Sequence, residues 1–541
     1  MNRVQPRHAA RLDGLAGLAG ALLGLPALVL PWPPSSDLAL HEGMVALLVR
    51  RGDAAFAPAG LYELSLGHAN QLFYAVACPL ALVAGTALAC KLVLWATMAV
   101  TIVFAARLAD HLGRTRWAAL AVAPAVLGWA FYWGYAPQMM GLALWLGVLP
   151  LLDRATREEA GARDVVLASL AMPLLGLAHA TSMLCAALAT TVFALVRPIE
   201  RRTPLRLVPA LVGVGLAFAE TRWEAHDSTA LARVFASRVL WHPVGGKLRG
   251  LAANVMGAHG LLAEATLALL VFVAAALWRL PEGDQAREPA GGGVRAALAR
   301  HRFAVVAGAL FAAYLAAPYS VNFGAFLYVR FLAPAFALAV LSLAPPRGAR
   351  GPLVYAPAVA LAVVPVLAAL PQLAAARRHS AAVEPLIARV DEGSAVAVLH
   401  FGKSDRSLLF NPMSFGNRVL AERGGRLLLS FSEYPIAPVV VRPEARWDST
   451  ALRLAAQPGA LRPAHDLRRL RWLLVQIHDG ALAPRVVRAL SPEGELVGAS
   501  GEWLLFRSTL PALPITAPDA EPPPTAETLQ ERVNRLLADG G

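Results

Sequence analysis

The sequence predicts an all-α polytopic membrane bundle of about eleven transmembrane helices carrying a small C-terminal α/β domain on the outer side. Three observations lead there. Of the 541 residues, 57% are hydrophobic and only 16% charged, with a mean hydropathy of +0.53, more apolar than a soluble core of this length requires. The apolar residues fall in long runs separated by short basic clusters. After Pro371 the composition turns mixed, and strand-like and helix-like segments alternate.

Taken in order, the apolar runs that read as spans cover roughly residues 12 to 31, 88 to 106, 117 to 134, 138 to 152, 165 to 180, 182 to 196, 207 to 219, 260 to 278, 303 to 318, 325 to 344 and 353 to 371. Several are shorter than the ~20 residues a perpendicular helix needs, so their ends extend into polar loops or the helices are irregular. Arg3, Arg7 and Arg11 precede the first run and no small-residue cleavage site follows it, so it reads as an uncleaved span.

Orientation comes from the arginines. The formal net charge of +13 could suggest a nucleic-acid partner, but the clusters at Arg3/Arg7/Arg11, Arg107/Arg114/Arg116, Arg154/Arg157/Arg163, Arg197/Arg201/Arg202/Arg206, Arg279 to Arg302 and Arg347/Arg350 fall in alternate connections. That is the pattern of cytoplasmic loops, and no nucleic-acid partner is expected. The alternation holds only if the apolar segment from Asn70 to Val83 does not cross, so it is expected to be a juxtamembrane or re-entrant helix. The N-terminus is then cytoplasmic. Everything after Pro371 is extracytoplasmic, with the loops at 32 to 70, 220 to 259 and 319 to 324.

Three domains follow: a transmembrane part over 1–371, a soluble α/β domain over 372–508, and a Pro-rich tail over 509–541 ending in a short helix from Ala526 to Leu537. Within the soluble part, strands are expected at Ala395 to Phe401, Arg426 to Phe431, Trp472 to Gln476 and Glu502 to Phe506. Helices are expected at Ala381 to Val390 and Met413 to Arg423. Cys78, Cys90 and Cys185 lie in or beside apolar stretches and read as packing residues.

The most informative polar segment is the run from Pro33 to Glu42, which leads into an amphipathic stretch ending near Arg50, Arg51 and Asp53. Asp37 and His41 are four residues apart and share a helix face at the outer membrane surface. A carboxylate there can act as a general base on an incoming hydroxyl, or help bind a divalent metal ion beside a phosphate. Equally, Asp37 can serve only as the N-cap of a surface helix.

This layout resembles the C-type glycosyltransferase superfamily, integral membrane enzymes that take a sugar from a polyprenyl-phosphate carrier. Four features carry the resemblance: the acidic first outer loop with Asp37, followed by Asn70-Gln71-Leu72-Phe73-Tyr74; the aromatic turn Phe131-Tyr132-Trp133-Gly134-Tyr135; Leu177-Ala178-His179-Ala180-Thr181 between two short spans; and Tyr328-Val329-Arg330-Phe331-Leu332-Ala333-Pro334. The resemblance implies a hexosyl or pentosyl transfer to an acceptor glycan, lipid or protein at the outer face, with Asp37 catalytic and Arg330 meeting the carrier phosphate. The family's acidic residues often form a pair, whereas Glu42 is one residue off helical alignment with Asp37, which leaves metal dependence open.

Beside the resemblance, two residues stand out on physical grounds. A lone intramembrane His179 is costly unless it has a partner or lines a cavity, and the alternative is a helix-end histidine bonded to a carbonyl. Arg330 just inside an apolar run is expected to face a cavity, a partner or a headgroup. The loop from Glu220 to His259 carries Arg222, Glu224, His226, Asp227, Arg233, Arg238, His242, Lys247 and Arg249, which can hold a phosphate headgroup or simply lie on anionic lipid. His226-Asp227 with His242 has no zinc-ligand spacing. In the soluble domain, His400, Lys403, Asp405, Arg406, Glu422, Glu433 and Tyr434 sit near strand ends, with no phosphate loop or nucleophile elbow, and suggest an accessory or acceptor-recognition domain. A multi-span transporter and a noncatalytic assembly protein are the competing readings.

Overall fold

A computed structural model describes residues 6–199, 201–226, 239–257, 261–279, 293–321, 326–347, 352–402, 407–434, 436–519 and 525–538. Among them, four helices are long and apolar enough to cross a membrane: Thr86–His111, Ala136–Ala155, Thr203–Arg222 and Tyr355–Ile387. A fifth crossing arises if Val294–Arg300 and Arg302–Ala316, bent by 86°, form one broken span. The remaining apolar helices are shorter; Ala162–Ala178 and Ala180–Val196 have 17 residues each, about 25 Å at the α-helical rise.

The expected span at 117 to 134 is not one helix. It divides into a 3₁₀ segment Arg116–Val122 and the short helices Ala123–Val126 and Trp129–Trp133. Pro124 favours a helix start and not a helix interior. Gly128 passes so close to its neighbour that an added Cβ would lie 2.0 Å from the Val255 carbonyl oxygen. The polypeptide here trades regular helix for close packing.

The sequence places a boundary at Pro371, yet the helix Pro352–Ile387 continues through Pro357, Pro365, Pro371 and Pro385 without a break. Each proline removes one backbone donor while the surrounding ladder persists, which apolar helices tolerate when neighbours pack against them. The helix therefore carries the polypeptide out of the apolar bundle directly into the C-terminal domain.

That domain is built on a five-stranded sheet in the order β3 (Arg426–Leu427), β2 (Ala395–Phe401), β5 (Trp472–Ile477), β7 (Trp503–Ser508) and β6 (Gly494–Ser500), where β3, β2 and β5 are parallel and β7 runs antiparallel to both of its neighbours, β5 and β6. β6, which the sequence reading did not identify, alternates weakly because much of it is exposed. The side chains divide by the two-residue period of a strand. Val396, Trp472, Leu474, Trp503 and Leu505 join the core that continues into the helical bundle. Ala395, Ala397, Leu473, Val475, Leu504 and Phe506 form a second core on the opposite face, with Trp447 and Leu529. The tail returns to this second face: Trp447 donates to the Ala517 carbonyl at 2.8 Å, and Ser449 and Thr450 bond Asp519.

The first outer loop is sewn into the same assembly. Its short strand β1 (Tyr62–Leu64) pairs antiparallel with β4 (Val439–Val441) of the C-terminal domain. The helix Leu38–Val49 was expected to be amphipathic, but every residue from Leu38 to Leu47 is buried. It lies beneath the C-terminal domain, where Gly43 sits against Leu420, so both of its faces are covered.

The basic clusters also acquire a focus. Asp153, wholly buried near the end of Ala136–Ala155, accepts from His111 at 2.9 Å, Arg157 at 3.0 Å, Arg197 at 2.7 Å and Arg302 at 2.6 Å. One carboxylate thus ties together residues from four connections that the sequence assigns to the same side of the membrane.

Candidate active site beneath the C-terminal domain

Asp37 is placed by backbone. The segment before it runs along the aromatic turn: the Ser36 amide donates to the Tyr132 carbonyl at 2.8 Å, and the Asp37 amide to the Trp133 carbonyl at 2.9 Å. Hydroxyl hydrogen bonds from Ser35 to Phe131 at 2.8 Å and from Ser36 to Tyr132 at 3.1 Å add to the clasp. Gly134 makes this approach feasible. It has φ +78°, and a Cβ there would lie 2.4 Å from the Asp37 nitrogen. Asp37 stands at the N-cap position of Leu38–Val49, but its side chain makes no capping hydrogen bond. The carboxylate faces a cavity instead.

The cavity has a volume of about 360 Å³ and is lined by Asp37, His41, Asn70, Tyr74, Tyr135, Gln138, His179 and Arg330 from the helical part. Leu429, Phe431, Tyr434, Ile436, Ala437 and Pro438 close it from the C-terminal domain. Three widely separated sequence features, Asp37, His179 and Arg330, therefore meet in one chamber.

His179 occupies the break between Ala162–Ala178 and Ala180–Val196, with an extended backbone. Asn70, at φ +67°, grips this break: its amide donates to the Gly176 carbonyl at 3.2 Å, and its Oδ1 accepts from the Ala180 amide at 3.1 Å. Asparagine tolerates that left-handed conformation better than most side chains. Arg330 rises from the 3₁₀ segment Tyr328–Phe331, with Nη1 3.3 Å from His179 Nε2 and its guanidinium 5.1 Å from the Tyr135 ring centre. Two buried polar atoms in the chamber wall, Nδ1 of His179 and Oε1 of Gln138, have no protein hydrogen-bond partner.

Burial pushes the Asp37 carboxyl up to about 7, against the opposing pull of Arg330. A group titrating there can take a proton near neutral pH. Burial pulls the His41 imidazole down to about 3, opposed by a hydrogen bond with the Gly134 backbone, so His41 is neutral. Its Nδ1 lies 2.7 Å from the Tyr74 hydroxyl, and its ring packs on Phe73 and Phe431 at 5.4 and 4.8 Å.

Two residues suggested by the sequence lie elsewhere. Glu42 does not line the chamber; its carboxylate is buried 3.2 Å from Arg418 of the C-terminal domain, and burial raises its affinity for a proton despite that partner. On a helix, a residue five positions from Asp37 points to a different face. Arg222 stands exposed on Thr203–His226 with its guanidinium 5.0 Å from the Phe218 ring centre. Asp227, Arg233, Arg238, Lys403, Asp405 and Arg406 lie outside the described residues, as do the side chains of Glu224 and His226. Lys247 is buried and donates to the Leu315 and Ala317 carbonyls at 2.7 and 2.6 Å. It serves the C-terminal end of Arg302–Ala316, where a cation complements the helix dipole.

The chamber's charged donors are few. Among the described residues Asp37 is the one carboxylate lining the chamber, Arg330 lines it as well, and no group of three or more His, Cys, Asp or Glu side chains is gathered as a metal site.

Gln138 and the 429–438 segment were absent from the sequence-based site, although Tyr434 was noted. A polar Gln138 opening the apolar run at 138 to 152 was a usable signal. Nothing in the sequence around Phe431 and Tyr434 indicates that it roofs a chamber whose other walls come from the helical bundle.

Comparison with protein-family models and with curated proteins finds no match. Among the solved structures that resemble the chain are two of ArnT. One is ArnT from Cupriavidus metallidurans in the apo state, at 14% identity and a TM-score of 0.47 over 87% of this chain and 94% of that one. The other is ArnT from the same organism bound to undecaprenyl phosphate, at 13% identity and a TM-score of 0.49 over 94% of this chain and 100% of that one.

Proposed function

We propose that this protein is a membrane glycosyltransferase that moves a sugar from a polyprenyl-phosphate carrier to an acceptor at the outer face of the membrane. The observation that carries the reading is the convergence of Asp37, His179 and Arg330 on one chamber between the apolar helices and the C-terminal domain. A carboxylate that titrates near neutrality beside a guanidinium is suited to a displacement in which an alcohol loses a proton while an anion departs.

In this mechanism the acceptor oxygen forms a bond to the anomeric carbon as the bond from that carbon to the phosphate oxygen breaks. The acceptor proton passes to Asp37. The bonding electrons leave with the carrier phosphate, whose charge Arg330 meets through paired N–H donors. Direct displacement inverts the anomeric centre. His179, 3.3 Å from Arg330, orients the guanidinium.

A second cavity of about 690 Å³ supports a lipid-borne substrate. It is almost wholly apolar, runs between Leu261–Arg279, Arg302–Ala316 and Leu332–Leu343, and includes Leu332, two residues beyond Arg330. The proposed topology has about eleven crossings, with a cytoplasmic N-terminus and an extracytoplasmic C-terminal domain, and follows from the basic clusters. No specific observation favours the transporter or assembly-protein readings.

The test is incubation of membranes containing the protein with polyprenyl-phosphate sugars labelled in the sugar. Label leaving the carrier and becoming attached to an envelope acceptor supports the reading. Label that crosses the membrane still joined to its carrier means transport, and label that does neither removes both.

A further inference from the structure

The chamber has two chemically different sides. Its helical side presents Asp37, His179 and Arg330, suited to a phosphate and a reacting hydroxyl. The roof from the C-terminal domain is uncharged at each described position that faces the cavity: Leu429, Phe431, Tyr434, Ile436, Ala437 and Pro438. An anion has no partner on that side. A sugar ring does, since it offers an apolar C–H face to aromatic rings and hydroxyls to a phenol.

The roof is also held firmly. Arg426, at the start of the segment, donates to Glu433 through Nε at 3.2 Å and Nη2 at 3.0 Å, with both side chains buried. The Arg426 guanidinium stacks 3.9 Å from the Trp447 ring centre. Ser430 and Ser432, both buried, share a hydrogen bond of 2.7 Å. At the other end Gln71 donates to the Ile436 carbonyl at 3.1 Å, and β4 follows directly, paired with β1. Leu429 is held at φ +66°, a conformation that costs a branched side chain energy and persists where surrounding contacts determine it. An ion pair buried under the segment and a strand pair at its end fix the rings of Phe431 and Tyr434 over the chamber. A rigid aromatic surface loses little entropy on binding.

A third observation comes from the helical side. Gln138 is buried, lines the same chamber, and its Oε1 accepts no hydrogen bond from the protein. A buried amide oxygen without a partner is costly, and a hydroxyl donor from a ligand relieves it.

We propose that the chamber holds the sugar of the carrier-linked donor between the aromatic roof of Phe431 and Tyr434 and the amide of Gln138, so that the C-terminal domain forms part of the donor site. This rests on the glycosyltransferase reading above. It assigns specificity for the sugar to residues that stand far along the sequence from the catalytic carboxylate, Phe431 and Tyr434 in the C-terminal domain and Gln138 in the helical bundle. The cavity, at about 360 Å³, lies at the small end of the range for ligand sites and suits one ring at a time.

The test is equilibrium binding to the full-length protein in lipid nanodiscs, using two probes: polyprenyl phosphate, and the same lipid carrying a single hexose or pentose. Tyr434→Phe and Gln138→Leu are compared with the parent protein. The expected result is a loss of about tenfold in affinity for the sugar-bearing probe, with affinity for bare polyprenyl phosphate unchanged. Tyr434→Phe removes only one oxygen from a half-buried residue, so it remains informative if Gln138→Leu fails to fold. The proposal is overturned if the parent binds the sugar-bearing lipid more tightly than the bare one and neither variant changes that preference, or if a variant weakens both probes equally. Failure of the parent to bind either probe removes the glycosyltransferase reading and this inference together.

Discussion

Nη1 of Arg330 lies 3.3 Å from Nε2 of His179, across a chamber that also receives Asp37. Replacing Arg330 by Lys keeps the charge but removes the planar set of donors that can meet two phosphate oxygens at once. Affinity for polyprenyl phosphate is expected to fall about tenfold or more, read by binding to the purified, folded variant. Equal affinity in the two proteins would count against a phosphate contact at Arg330.

Asp37→Asn keeps the size and polarity of the side chain and removes its capacity to accept a proton. The transfer rate is expected to fall by about 10²-fold or more with thermal stability nearly unchanged. With the carboxyl pushed up to about 7, the base is protonated and inactive below that pH. The parent rate should therefore climb about tenfold per unit as pH rises toward 7, and then level off. A rate independent of pH from 5 to 8, or a parent-like Asp37→Asn, removes Asp37 from the reaction.

Gly134→Ala places a methyl group 2.4 Å from the Asp37 nitrogen and 2.6 Å from the Leu38 nitrogen, at φ +78°. Both contacts are backbone and cannot swing away. A stability loss of about 1–3 kcal/mol is expected, together with loss of transfer activity as the Asp37 loop shifts. Unchanged melting temperature and activity would show that the close approach is relaxed in solution.

Asp153→Asn leaves Arg157, Arg197 and Arg302 around a neutral buried amide. Destabilisation of about 3–5 kcal/mol is expected, because the burden falls on cations left without their counter-charge. Thermal unfolding in detergent measures it, and a melting temperature equal to the parent's would mean that the arginines find equivalent partners.

Topology is tested with reporter fusions at Gly161 and Gly393. A reporter active only in the cytoplasm should work at Gly161 and fail at Gly393. Activity at Gly393 would reverse the orientation and move the chamber to the inner face.

The sequence by itself determined the membrane class, the α/β character of the C-terminal domain, and strands β2, β5 and β7 to within two residues at each end. Each of these depends on a local periodic signal: long apolar runs, or apolar alternation beside turn residues. It also singled out Asp37, His179 and Arg330, because a charged or titratable residue at the edge of an apolar run is conspicuous in one dimension. Tertiary structure alone decided which of these meet. Glu42 and His41 are neighbours in sequence, yet helical geometry turns one to Arg418 and the other to Tyr74. The apolar run at 117 to 134 looks like a span, and only its packing against Val255 shows why Gly128 interrupts it. The roof carries Glu433, Tyr434 and the end of the strand expected at Arg426 to Phe431, of which only Arg426–Leu427 forms, but none of these signals says what it covers. Its place above Asp37 follows from the β1–β4 pairing and the buried Arg426–Glu433 contact, long-range pairings between segments that hydropathy along the chain does not encode.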